Sequence, residues 1–258
     1  MPRFTANIAM MFAERPFLER IDAAAAAGFD MVECHLPFAA SIEDLGRRLA
    51  DAGVALTGIN AAAGDAAAGE FGLAALAGRG ADFDREWRRA LDYAVALGVK
   101  KMHVLAGVVA AEERERAIET YVERIDAIAP QAAAEGITIL LEPLNVRDRP
   151  GYLVSRSDEI VALIARIGAP NVKLMFDVYH VQIMEGDLTR RIERHRPAIG
   201  HVQVASVPGR HEPDEGEVAI GAIFRALEAV GYTDPIGLEY FPRGRTEDGL
   251  GWLAPYRA

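Results

Sequence analysis

"ITILLEPLN", Ile137 to Asn145, runs five apolar or β-branched residues straight into a glutamate and then a proline. A run of this length and composition reads as a buried strand. A buried strand that ends on a carboxylate needs something at its tip to make the charge tolerable, because burying an unpaired carboxylate is costly. The identity of that partner decides both the fold and the chemistry.

Seven similar runs surround this one. "RFTANIAM" precedes a helical stretch from Pro16 to Ala27 closed by Gly28, and "DMVECHL" precedes a helix opened by Ser41, where "SIED" has the form of an N-cap signal. "VALTGIN" leads through a Gly/Ala-rich stretch to a helix at about 82–97, and "VKKMHVLAG" to one at about 111–135. "ITILLEPLN" precedes a helix opening at Ser157, "VKLMFDVYH" one near Leu188, and "IGHVQVAS" one near Ile220. "IGLEYF" leads into a last helical segment, "TEDGLGWLAPY". Eight strand–helix units in 258 residues predict a single (β/α)8 barrel, a TIM barrel spanning residues 1–258. A doubly wound open sheet would want a Gly-rich phosphate loop after its first strand, and "NIAMMFAERP" has none. The stretch "AAAGDAAAGEFGLAALAGRG", residues 61–80, is too long for an ordinary connection and has two readings, a mobile lid over the strand ends or a poorly structured surface insertion.

Composition excludes several classes. With 51% hydrophobic and 26% charged residues the chain is an ordinary globular one, and no apolar run is long enough to span a bilayer. The start, "MPRFTANIAMMF", lacks a small-residue cleavage site, so no signal peptide and a cytoplasmic location are expected. The one cysteine, Cys34, cannot form an internal disulfide; it reads as a small buried apolar group, with a thiol nucleophile as the alternative. A net charge of −10 repels a phosphate backbone, so no nucleic-acid partner is expected. The helix faces show no unambiguous patch, which leaves a homo-oligomer open.

In a barrel, alternate strand residues point inward and the last inward residue of each strand lies at the catalytic rim. On the fifth strand Thr138, Leu140 and Glu142 share a face; on the sixth, Lys173, Met175 and Asp177; on the seventh, His201 and Gln203; on the eighth, Gly237 and Glu239. Four consecutive strands thus deliver Glu142, Asp177, Gln203 and Glu239 to one rim. Three carboxylates in a partly buried mouth repel each other, and a divalent cation removes the conflict. Three carboxylate oxygens and an amide oxygen form a hard donor set suited to Mg²⁺ or Mn²⁺, whereas zinc favours His or Cys. The alternative is four separate strand ends, each hydrogen-bonded locally.

With these residues in view, the chain resembles the hydroxypyruvate isomerase family, within the xylose isomerase-like superfamily that also holds sugar epimerases and endonuclease IV. The resemblance runs almost end to end, through "RFTANIAMMF", "GFDMVE", "AAGDAAAGEFGLAALAGR", "EPLN", "FDVYHVQIMEGDLT", "GHVQVA", "GRHEPDEGE" and "GLEYFPRGRTEDGLGW". The same motifs also resemble the 2-oxo-tetronate isomerases. The resemblance implies that Glu142, Asp177, Gln203 and Glu239 bind the metal and that Glu142 and Glu239 exchange protons with substrate. It also implies that His180 and Arg210 contact substrate oxygens. Many related epimerases carry His where this chain has Gln203, a departure that weighs against sugar epimerisation and favours a hard metal.

The expected activity is therefore metal-assisted isomerisation of a small hydroxy-keto acid, hydroxypyruvate to tartronate semialdehyde, through an enediolate and two glutamates. A 2-oxo-tetronate isomerase is the alternative, followed by a related ketose epimerase or an endonuclease IV-like phosphodiesterase. Arg210, in "VPGRHEP", is the expected partner of the substrate carboxylate, because a guanidinium pairs with a carboxylate through two parallel bonds. His103 reads as a hydrogen-bonded core histidine, His201 as lying one layer below Gln203, and Glu33 as a strand-end residue that orients the rim.

Overall fold

The computed structural model describes residues 2–257, without the side chain of residue 66. Its eight strands are β1 (Phe4–Asn7), β2 (Met31–Glu33), β3 (Ala55–Ala61), β4 (Lys101–Val104), β5 (Thr138–Leu141), β6 (Val172–Asp177), β7 (Ile199–Val204) and β8 (Ile236–Leu238). They pair in chain order, all parallel, and β8 closes on β1 through Phe4 opposite Ile236 and Ala6 opposite Leu238. This is the (β/α)8 barrel that the alternation of elements predicts.

The helices around it are α1 (Glu19–Ala26), α2 (Ile42–Ala52), α3 (Gly80–Leu97), α4 (Arg114–Ala134), α5 (Ser157–Ile167), α6 (Val178–Met184), α7 (Leu188–His195), α8 (Ile220–Ala229) and α9 (Thr246–Gly249), the last running into a 3₁₀ segment, Leu250–Tyr256. Ser41 caps α2 as its sequence implies, accepting the Asp44 amide at 3.0 Å. One helix was not expected. The chain turns into α6 directly at the end of β6, because the Asp177 carboxylate accepts the Tyr179 amide at 2.9 Å and caps that helix. No helix among the described residues is long and apolar enough to cross a membrane.

Two layers of side chains divide the molecule. Ile137, Ile139 and Leu141 of the β5 region are buried in the apolar layer between barrel and helices, together with Leu174, Phe176, Val202 and Val204. The opposite phase fills the barrel. Leu140, Met175, His201 and Gln203 surround a small internal space of about 20 Å³ with Glu33 and Lys101. Gly237 is required here: a Cβ at that position would lie 2.5 Å from Glu33 Oε1 and 2.7 Å from Gln203 Cγ.

The 61–80 connection is packed rather than loose over its second half, which corrects the reading of a poorly structured insertion. Ala74 and Ala75 donate to Leu105 and Ala106 at 3.3 and 2.7 Å, and Leu73, Ala74 and Ala75 are buried. Gly72, at φ +116°, lets the backbones touch; a Cβ there would sit 2.5 Å from the Gly107 nitrogen. The segment thereby holds Phe71 against the cavity at the strand ends.

Candidate active site

The C-terminal ends of the strands open into a cavity of about 570 Å³ lined by Glu142, Glu239, His180, Arg210, His35 and His103, among others. A wider groove of about 760 Å³ lies among the outer helices, and no strand-end residue lines it. β5 and β8 each stop one residue short of their glutamate. Glu142 and Glu239 therefore leave the ladder at the rim, free to turn toward the cavity, while Asp177 ends β6.

Glu142, Asp177, Gln203 and Glu239 are all buried. Their environments differ. Burial, with Glu239 and Asp177 close by, raises Glu142 well above the usual carboxylate range. Burial also raises Asp177, to about 7, although Arg210 opposes it. Burial would raise Glu239 too, but His35, Arg210 and His180 outweigh it and hold that carboxyl below its ordinary value. One glutamate favours the proton and the other refuses it, the separation that general acid–base chemistry needs.

Glu239 sits in a frame of donors. Its Oε2 accepts from Asn7 Nδ2 at 2.9 Å and from the Gln203 amide, and its Oε1 accepts from Arg210 Nη2 at 2.7 Å. His35 Nε2 lies 3.5 Å from the same Oε1. The Gln203 amide nitrogen donates to Glu33 Oε1 as well, at 2.7 Å, and Glu33 Oε2 meets His201 Nε2 at 2.8 Å. With the nitrogen committed to two carboxylates, Gln203 presents its oxygen, which is buried and has no hydrogen-bond partner. Glu142 Oε1 is buried and unpartnered in the same way.

Unsatisfied buried oxygens are costly unless a cation meets them. Two orphan oxygens and two further carboxylates make a hard donor set that fits a divalent cation. Glu142, Asp177 and His180 also bring one potential ligand atom each within 4.8 Å of one another. His180, however, is fixed as a donor. Its Nδ1 accepts the Asn145 backbone amide at 3.2 Å and faces the Asn145 side-chain amide at 2.7 Å. That amide is oriented by Asp148, which accepts from Nδ2 at 3.0 Å and donates its own N–H to Oδ1 at 2.8 Å. Burial and Arg210 lower His180 to about 3, so the ring is neutral. Its proton therefore sits on Nε2, 3.5 Å from Asp177 Oδ2 and 3.9 Å from Glu142 Oε1.

All six candidate residues thus meet in one region: Glu142, Asp177, Gln203 and Glu239 with His180 and Arg210. His103 corrects the reading of a core histidine. It is buried, but it lines the cavity with Nδ1 3.3 Å from Glu142 Oε2, and burial lowers it to about 3. His35, Asn7, Asn145 and Asp148 belong to the site and were not anticipated. The inward phase of β2 continued past Glu33 would have found His35, and that of β4 runs Lys101, His103, Leu105. Nothing local in the sequence marks Asn7 or Asp148. Cys34 is buried, and burial together with Glu33 pushes its thiol far above its ordinary value, which removes the nucleophile alternative.

The family described as xylose isomerase-like TIM barrel matches residues 21–256. The chain is 48% identical to a 2-oxo-tetronate isomerase of Cupriavidus necator over 99% of both chains, and 40% identical to a hydroxypyruvate isomerase of Escherichia coli over 100% of both. A crystal structure from Brucella melitensis, described as an AP endonuclease of family 2, is 46% identical and superposes with a TM-score of 0.97 over 100% of both chains. The chain belongs to the hydroxypyruvate and 2-oxo-tetronate isomerase family of xylose isomerase-like TIM barrels, and it is an isomerase.

Proposed function

We propose that this isomerase moves a carbonyl between adjacent carbons of a four-carbon 2-oxo acid, a 2-oxo-tetronate, using Glu142 and Glu239 as its proton-transfer pair. The observation that carries the chemistry is the pair of buried glutamates, Glu142 and Glu239, facing one cavity. The four-carbon substrate is supported by the relative from Cupriavidus necator at 48% identity, and it displaces hydroxypyruvate as the leading reading. Hydroxypyruvate stays as the second reading, supported by the relative from Escherichia coli at 40%.

Glu239, ionised and framed by Asn7 and His35, is the base that takes the carbon-bound proton; Glu142 returns a proton to the neighbouring carbon. His180 Nε2–H donates to a substrate oxygen, its tautomer set by Asn145. Arg210 pairs with the substrate carboxylate at the mouth. Glu142, Asp177, Glu239 and the orphan oxygen of Gln203 would hold a divalent cation, Mg²⁺ or Mn²⁺ by donor type. Such a cation supplies Lewis-acid stabilisation to negative charge on two adjacent substrate oxygens. Three carboxylates leave little for a nucleic-acid backbone, and the net charge of −10 agrees.

The test is an assay of the purified protein with Mn²⁺ or Mg²⁺ on 2-oxo-tetronates and on hydroxypyruvate, followed by NMR of the products. The expected result is carbonyl migration with kcat/KM higher on the four-carbon acid. A preference for hydroxypyruvate would reverse the substrate assignment, and turnover unaffected by a chelator would remove the cation.

A further inference from the structure

We propose that the Arg210 guanidinium competes with the divalent cation for the same donor atoms, and that the metal, on binding, releases Arg210 to receive the substrate carboxylate. This rests on the metal-dependent function above and adds an order to it: cation first, acid second.

One nitrogen carries the argument. Arg210 Nη2 lies 2.7 Å from Glu239 Oε1, 3.3 Å from Asp177 Oδ2 and 3.3 Å from His180 Nε2. Two of these are oxygens of the residues that would hold the metal. A small divalent cation binds carboxylate oxygen at about 2.0–2.2 Å, so a cation on those two oxygens would sit close to the guanidinium, and the two positive charges would repel in a buried mouth.

The guanidinium is held through its two carboxylates but is not fully satisfied where it is. His180 carries its proton on Nε2, so the 3.3 Å approach sets donor against donor. Arg210 Nε is buried and has no acceptor. By contrast the backbone is anchored: Arg210 N donates to the Ser206 carbonyl at 2.9 Å, and its own carbonyl accepts from Phe241 N at 2.8 Å. The residue keeps φ at +55°, a conformation that a non-glycine residue adopts only when its surroundings impose it. With the Cα fixed and the head group held mainly by these two carboxylates, loss of them to a cation would leave the side chain to turn away. The Tyr179 ring, 4.8 Å from the guanidinium carbon, gives it an aromatic face to lie on.

Charge explains why the order helps. The carboxylates outnumber the one guanidinium at the mouth, which disfavours an anionic substrate. A dication among the carboxylates offsets their negative charge and leaves the guanidinium without a carboxylate of its own. The substrate then supplies one. Metal and acid therefore bind with positive coupling, each raising the affinity for the other.

The experiment uses the whole protein and Mn²⁺ alone. Crystals grown with and without Mn²⁺ locate the guanidinium, and calorimetry compares Mn²⁺ affinity in the wild type and in Arg210→Met. The expected result is that bound Mn²⁺ takes the Glu239 and Asp177 oxygens, that Arg210 leaves hydrogen-bond distance of both, and that Arg210→Met binds Mn²⁺ about tenfold tighter, a usual size for site-to-site coupling. Mn²⁺ bound with Arg210 still on Glu239 and Asp177, or a variant that binds no tighter, overturns the competition while leaving the metal-dependent function standing. Failure of both proteins to bind Mn²⁺ overturns that function and this inference together.

Discussion

Gln203 gives its amide nitrogen to Glu33 Oε1 at 2.7 Å, across the barrel interior from β7 to β2, and with the contact to Glu239 this leaves the amide oxygen without a hydrogen-bond partner. Glu33 is itself held by His201 Nε2 at 2.8 Å. Glu33→Gln replaces an acceptor-only group with one that also carries a donor, so the Gln203 oxygen loses its fixed direction. Supporting contacts of this kind cost about 10–100-fold in metal affinity or activity when removed. Mn²⁺ calorimetry on the variant checks this. Unchanged affinity would mean that Gln203 does not need Glu33, or does not meet the cation.

Glu142→Gln and Glu239→Gln should each lower kcat by at least about 10³, since proton transfer and charge stabilisation are lost together. Circular dichroism and thermal melts establish that the variants fold. Near-normal turnover in either folded variant would sink the two-glutamate assignment.

Cation binding should stabilise the fold, because the donor set exists only when the strands have closed. At a free Mn²⁺ concentration of about 100 times Kd, linkage gives about 2.7 kcal/mol. For a protein of this size that corresponds to an increase in Tm of about 5–10 °C. Thermal melts in Mn²⁺ and in EDTA measure the difference, and coincident curves would count against the site.

Cys34→Ser should retain most activity, and iodoacetamide should leave the native thiol unmodified over an assay. The thiol is buried and its proton is held tightly by burial beside Glu33. Loss of activity on selective alkylation would restore the nucleophile.

The proton that Glu142 delivers is not the one that Glu239 removes, and both carboxyls face an open cavity where they exchange with water between turnovers. Turnover in D₂O should therefore place deuterium on the receiving carbon. Mass spectrometry of product trapped at low conversion, against a no-enzyme control, measures it. Product without label above the control would indicate direct hydride transfer, and Glu142 and Glu239 would lose their acid–base roles.

The ionisable ends of β5 to β8 were legible in the sequence because strand side chains alternate with a period of two, a property of the local backbone. Once eight strands were counted, that period placed Leu140 and Met175 inside the barrel and Glu142, Asp177, Gln203 and Glu239 at its rim. The same rule continued along β2 and β4 reaches His35 and His103. The helix α6 was not legible, because Asp177 reads as the end of a strand and also caps the turn that follows it.

Other relationships came only from closure of the barrel. Asn7 donates to Glu239 across 232 positions of sequence because β8 pairs with β1, and no local pattern foretells that partner. Gly237 is glycine because Glu33 and Gln203 pass beside it, coming from two other strands. The tautomer of His180 is set by Asn145, 35 residues earlier, and the place of Arg210 by a loop that folds back over the rim. The sequence by itself determined which residues face the barrel interior, since that depends on a local period. The tertiary structure decided their protonation, orientation and competition for one another, since electrostatic and hydrogen-bond energies depend on distances between strands remote in the chain.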